Sequence, residues 1–116
     1  QNFRVLVADN GVKALEVLMS EEVSMVISDV MMPEMNGFDL CRKIKSDIVL
    51  SHLPVMLLTA LSDDKQQMYG AASGADAYIQ KPFNIEVVKL RIIKLLEDRV
   101  RLSRLMLAML LRLLFP

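Results

Sequence analysis

VISDVMMPEMNGFDL, Val26 to Leu40, is the stretch whose reading decides the fold. The apolar run Met25-Val26-Ile27 drives straight into the carboxylate of Asp29. A loop punctuated by Pro33 and Gly37 follows. This is how a parallel strand presents a carboxylate at its C-terminal edge, where open α/β sheets do their chemistry. A carboxylate in that place serves as nucleophile, metal ligand or both.

The pattern repeats on either side. Phe3 to Ala8 is β-branched and apolar and predicts a strand, broken by Asn10-Gly11. Ala14, Leu15, Leu18 and Met19 recur at helical spacing, so a helix is expected over Val12 to Ser20. Val23 to Ser28 lacks alternation and reads as a parallel strand buried on both faces. Asn36 is placed to cap a helix from Gly37 to about Ser46. Pro54 opens a strand over Val55 to Leu58 that ends at Thr59-Ala60. Ser62 or Asp63 is expected to cap a helix that Gly74 stops. Ala77-Tyr78-Ile79 is a short strand, Lys81-Pro82-Phe83 a turn whose proline is a candidate for cis, and Asn84 the cap of a long final helix. Four strands alternate with helices, which implies a parallel sheet with helices on both faces.

Composition agrees with one small domain. The 116 residues balance 14 basic against 14 acidic side chains, so no global field draws the chain to nucleic acid or to an acidic membrane. A single cysteine, Cys41, excludes an internal disulfide and fits a reducing, cytoplasmic setting. Nine methionines read as core filling.

Three residues stand at equivalent places. Asp29, Thr59 and Lys81 each lie at or just past a strand's C-terminal end, and in a parallel sheet those ends share one edge. Their chemistry suits phosphoryl transfer. A carboxylate attacks a phosphoryl donor, a lysine pairs with the new phosphate, and a threonine hydroxyl donates to one of its oxygens. Such transfer relies on positioning and charge neutralisation, normally with Mg²⁺.

The segments VLVADNGVKALEVL, VISDVMMPEMNGFDLCRKI, LPVMLLTA and GADAYIQKPF together resemble the receiver domain of bacterial two-component response regulators. The spacing agrees: Thr59 follows Asp29 by 30 residues and Lys81 follows Thr59 by 22. The resemblance runs from about Phe3 to about Leu96 and implies a flavodoxin-like, doubly wound sheet with strand order 2-1-3-4-5. It makes Asp29 the phosphoacceptor, Thr59 the switch hydroxyl, Lys81 the phosphate-binding lysine and Tyr78 the aromatic that changes rotamer. Ala60 and Pro82 complete the phosphate pocket, and Met31 offers a backbone carbonyl to Mg²⁺ beside the Asp29 carboxylate. Residues 1–96 are accordingly expected to be a partial receiver, and 97–116 a helical extension.

The front departs from the family pattern. Receivers begin with a strand ending in two acidic residues that help to hold Mg²⁺, followed by a helix. Asp9 lies only 20 residues before Asp29 and matches the family's second strand and helix, so it is expected to be a turn residue placed to cap a helix and not a metal ligand. The domain thus reads as N-terminally truncated, lacking its first strand and helix, with an open slot where an interior strand belongs and unpaired edges that invite other chains. The far end departs too. Asn84 to Phe115 contains no Gly or Pro and predicts one helix, ending in LMLAMLLRLLF. That run is too short to span a bilayer, which needs ~20 residues. It reads as a connector with apolar 3–4 spacing, as a segment laid across the open slot, or as a tail foreign to the domain.

The resemblance implies a signalling module. It would take a phosphoryl group from a histidine kinase or phosphotransfer domain and remodel an output domain, DNA-binding in some relatives, through its last helix, with a second copy as a further partner. It would make no direct contact with nucleic acid. Without the acidic pair, the alternative is a pseudo-receiver that binds or dimerises without phosphate. A haloacid-type phosphatase is set aside, because it wants a second Asp where Met31 stands.

Overall fold

The computed structural model describes residues 3–60, 68 and 71–114. The chain divides between Pro82 and Phe83 into two units, each described here by itself. The first holds α1 (Gly11–Ser20), β1 (Val26–Asp29), α2 (Gly37–Ser46), β2 (Val55–Thr59) and β3 (Ala77–Gln80). The second is a single helix, α3 (Ile85–Leu114). The helix expected after Ser62 lies, apart from Met68, outside the described residues as far as Gly70. Its predicted stop is in place: Gly74 adopts φ 82°, in the left-handed region that favours glycine.

The three strands form one parallel sheet in the order β1-β2-β3. Asp29, Leu58 and Ile79 make one row across it, and Thr59 pairs with Gln80 in the next. Consecutive strands in this order are right for the carboxyl-terminal half of a doubly wound sheet.

Two expectations need correcting. Phe3 to Ala8 forms no strand, so the sheet has three strands among the described residues where four were predicted. The segment finds no neighbouring ladder, and its apolar side chains stand in solvent, Val5 and Val7 prominently. A strand's backbone groups are satisfied by pairing, and β propensity alone does not replace that. β1, for its part, is not buried on both faces: only Ser28 is buried and Ile27 is exposed. β2 is the strand with a neighbour on each side, and it is buried nearly throughout. An apolar run is thus necessary for a central strand but does not make one.

The caps explain why the helices start where they do. The side chain of Asn10 accepts from the Lys13 amide, and that of Asn36 accepts from the Asp39 amide, both at 2.9 Å. Each satisfies an amide that has no partner within its helix. Asp9 is a turn residue beside the first cap, paired with Lys13 at 3.3 Å. Asn84 caps α3 through the Glu86 amide at 2.8 Å. α2 buries Phe38, Leu40, Cys41 and Ile44 at helical spacing and packs against β2 and α1. Leu18, Val30, Leu50, Leu53, Val55 and Leu57 complete that core. Burial pushes the Cys41 thiol above its ordinary pKa, offset in part by a side-chain hydrogen bond with Ser73 and by the charge of Lys45. The thiol itself donates to the Ser73 carbonyl at 3.3 Å.

A polar clamp ties the sheet to α2. Asp76 Oδ2 accepts from the buried Val55 amide at 2.8 Å and from Lys45 Nζ at 2.8 Å. Lys45 Nζ also donates to the Leu53 carbonyl at 2.8 Å. The end of α2, the entry to β2 and the entry to β3 are thereby fixed at one point.

Candidate functional site

The carboxyl ends of the strands deliver their side chains to one edge, as the alternation of elements predicts. Asp29 is the last residue of β1 and Thr59 the last of β2, while Lys81 directly follows β3. The Lys81 ammonium lies 2.7 Å from Asp29 Oδ1, a charge-assisted hydrogen bond between residues 52 apart in sequence. The Lys81 amide donates to the Thr59 carbonyl at 2.6 Å, so the lysine's backbone is anchored to the end of β2. The Lys81–Pro82 peptide bond is cis.

Exposure separates the roles. The Asp29 and Lys81 side chains are 46% and 38% exposed, open to an incoming group. Thr59, at the end of β2, is 1% exposed. Ala60 is exposed at the rim, as is Met31 in the loop after β1.

That loop is shaped by backbone contacts. The Val30 amide donates to the Leu58 carbonyl and the Gly37 amide to the Val30 carbonyl, both at 2.9 Å. Glu34 takes φ 70°, in the left-handed region, where the chain turns back toward α2. A Cβ on Gly37 would run into the Asp29 carbonyl oxygen and approach Val30 Cα at 2.9 Å. Only glycine lets the start of α2 lie this close to the end of β1.

Tyr78 lies inside the sheet unit, stacked on Phe38 with ring centroids 6.2 Å apart and planes 12° apart. Its hydroxyl is buried and finds no hydrogen-bond partner among the described residues. A buried hydroxyl without a partner is costly, so this rotamer is balanced by the ring's packing alone.

Mg²⁺ demands six oxygens in near-ideal octahedral geometry. Among the described residues no group of three or more His, Cys, Asp or Glu side chains gathers anywhere. Asp29 is the single carboxylate of the constellation, and Lys81 already holds one of its oxygens. With the Met31 carbonyl, this donor set among the described residues does not fit a dedicated Mg²⁺ site.

Asp29, Lys81 and Thr59 are therefore adjacent, as the spacing implied. What went unread in the sequence is the framework: the Lys45–Asp76 clamp and the close approach at Gly37. The signal for Gly37 was present, a glycine directly after a capping asparagine. Asp76 offered none, because its partner Lys45 lies 31 residues away on another element.

Residues 1–93 match the family model described as response regulator receiver domain. The chain is 50% identical over 102 residues to Histidine kinase P4 of Formosa agariphila, covering 88% of this chain and 7% of that protein. It is 39% identical over 90 residues to the chemotaxis protein CheY of Pseudomonas aeruginosa, covering 78% of this chain and 73% of that one. Against the transcriptional regulatory protein GltR of the same organism it is 40% identical over 94 residues and spans 39% of its length. Several of these relatives are thus far longer than the part matched. Among solved structures, the signal receiver domain of a signal transduction histidine kinase from Syntrophus aciditrophicus superposes with a TM-score of 0.73 at 39% identity, covering 77% of this chain and 67% of that chain.

Proposed function

Because this chain belongs to the response regulator receiver domain family, we propose that its own role in phosphorelay signalling is to accept a phosphoryl group on Asp29 from a histidine kinase or phosphotransfer domain. The contact of 2.7 Å between Lys81 Nζ and Asp29 Oδ1 carries the reading. An Asp29 carboxylate oxygen attacks the phosphorus of a phosphohistidine. The new O–P bond forms as the N–P bond breaks, and the electron pair returns to the imidazole nitrogen. Lys81 neutralises charge on the oxygens, first of the carboxylate and then of the phosphoryl group. The Thr59 hydroxyl turns to donate to a phosphoryl oxygen. Ala60 and Pro82 line the space the phosphoryl group enters.

The switch then follows from packing. Movement of Thr59 changes the space beside Tyr78, whose hydroxyl has no partner among the described residues to hold it. The ring shifts and the surface over β3 is remodelled, a two-state change biased by local charge. The output lies in the parent protein. The Histidine kinase P4 match supports a receiver within a kinase chain and the GltR match one joined to a transcriptional output, with α3 as the link. The setting is cytoplasmic, where such kinases present their phosphohistidines.

A second reading starts from the donor set. With one carboxylate at the edge among the described residues, the domain would bind a kinase or a second copy without taking phosphate. Incubation with acetyl phosphate and Mg²⁺, followed by intact mass, decides between them. A phosphoryl-sized gain that Asp29→Asn removes supports acceptance. No gain in folded protein leaves the interaction module.

A further inference from the structure

The last half of α3 has a surface that phosphoryl chemistry does not use. Every residue from Val100 to Leu114 is exposed, including Leu102, Leu105, Met106, Leu107, Met109, Leu110, Leu111, Leu113 and Leu114. At 3.6 residues per turn, Arg101, Arg104 and Arg112 fall within an arc of about 80°, and the apolar side chains cover about 240°. No acidic residue occurs after Asp98. Arg101 meets Asp98 at 3.4 Å in an exposed pair, while Arg104 and Arg112 have no ion pair among the described residues.

We propose that residues 101–114 form an interfacial segment that lies on an anionic lipid surface. The reasoning is independent of whether Asp29 takes phosphate. A helix with one narrow basic face and a broad apolar remainder suits the headgroup boundary, with the apolar arc in the acyl region and the guanidinium groups reaching lipid phosphates. Charge complementarity selects anionic lipid, because the segment carries only positive side chains. No helix among the described residues is long and apolar enough to cross a membrane. A second copy fits less well. The heptad seam through Leu95, Leu102, Met106, Met109 and Leu113 places Arg99 at a core position, and a two-stranded seam would leave most of the 240° arc in water.

Flotation of the whole chain through a sucrose gradient tests this, since aggregates sink and lipid-bound protein rises. Vesicles of phosphatidylcholine are compared with vesicles containing phosphatidylglycerol. The expected result is flotation with the anionic vesicles on the order of 100-fold stronger than with neutral ones, from three arginines near the surface. High salt should weaken it. Arg101→Glu/Arg104→Glu/Arg112→Glu should abolish it and the corresponding Lys substitutions should retain it, with helix content checked by circular dichroism. Equal flotation with both vesicle types, or a discrete lipid-free oligomer that floats with neither, overturns the proposal. The second outcome would assign the surface to another copy of the chain. The lipid comparison on the unsubstituted chain stands even if a variant misfolds.

Discussion

Gly37 and the Asp29 carbonyl are in such close approach that no side chain fits between the first turn of α2 and the end of β1. The backbone that carries the candidate nucleophile is therefore set by a residue with no side chain. Gly37→Ala should destabilise the first unit by about 1–3 kcal/mol, the range for forcing an extra methyl into packed structure. The clash is with backbone, which cannot rotate away. A lower urea midpoint checks the stability. Loss of phosphoryl incorporation beyond what the unfolded fraction explains would show that Asp29 itself has moved.

Lys81 and Asp29 form a pair more than a third exposed, so its contribution to stability is small, about 0–1 kcal/mol. Its contribution to phosphoryl transfer is expected to be much larger, because charge develops on the transferred oxygens. Lys81→Met should slow labelling by acetyl phosphate by roughly 100-fold while the urea midpoint barely shifts. If stability and labelling fall together, the lysine is structural and the assigned role fails.

Asp76 has a different profile. It receives the amide of fully buried Val55 and the ammonium of Lys45. Asp76→Ala leaves a buried donor without its acceptor and should cost about 1–3 kcal/mol. Asp76→Asn keeps an oxygen for the Val55 amide and should cost less. Denaturant titration of the two variants separates them, and equal losses would mean that the amide contact is not what matters.

Cys41 sets a pH dependence. Burial raises the thiol pKa in the folded state, so the folded chain holds the proton more tightly than the unfolded chain. The sign follows from linkage. The stabilisation is complete below the unfolded thiol value and is lost as pH rises through the folded one, at about 1.4 kcal/mol per pH unit between them. Urea midpoints in the alkaline range should fall for the natural chain. Cys41→Ala should start lower and show a flatter alkaline limb.

Much of the candidate site was legible because it depends on strand ends. Asp29, Thr59 and Lys81 each terminate an apolar run, and parallel topology brings such ends together whatever their separation in sequence. Asn36, Asn84 and Gly74 were legible for the same local reason: a cap acts within one helical turn. The failures were of another kind. Phe3 to Ala8 has strand composition and forms no strand, and the strand predicted over Val23 to Ser28 looked central but lies at an edge of the sheet.

The sequence by itself determined where the helices are capped and which side chains stand at the sheet's carboxyl edge, since caps and turn residues act over a few positions. Only the tertiary structure decided which apolar run is central, which is an edge and which is unpaired. It also decided that Asp76 finds Lys45, and that Tyr78 rests on Phe38 with its hydroxyl unsatisfied among the described residues. Those outcomes depend on which backbone groups find partners and how much surface each contact removes from water, quantities that exist only once distant segments have met.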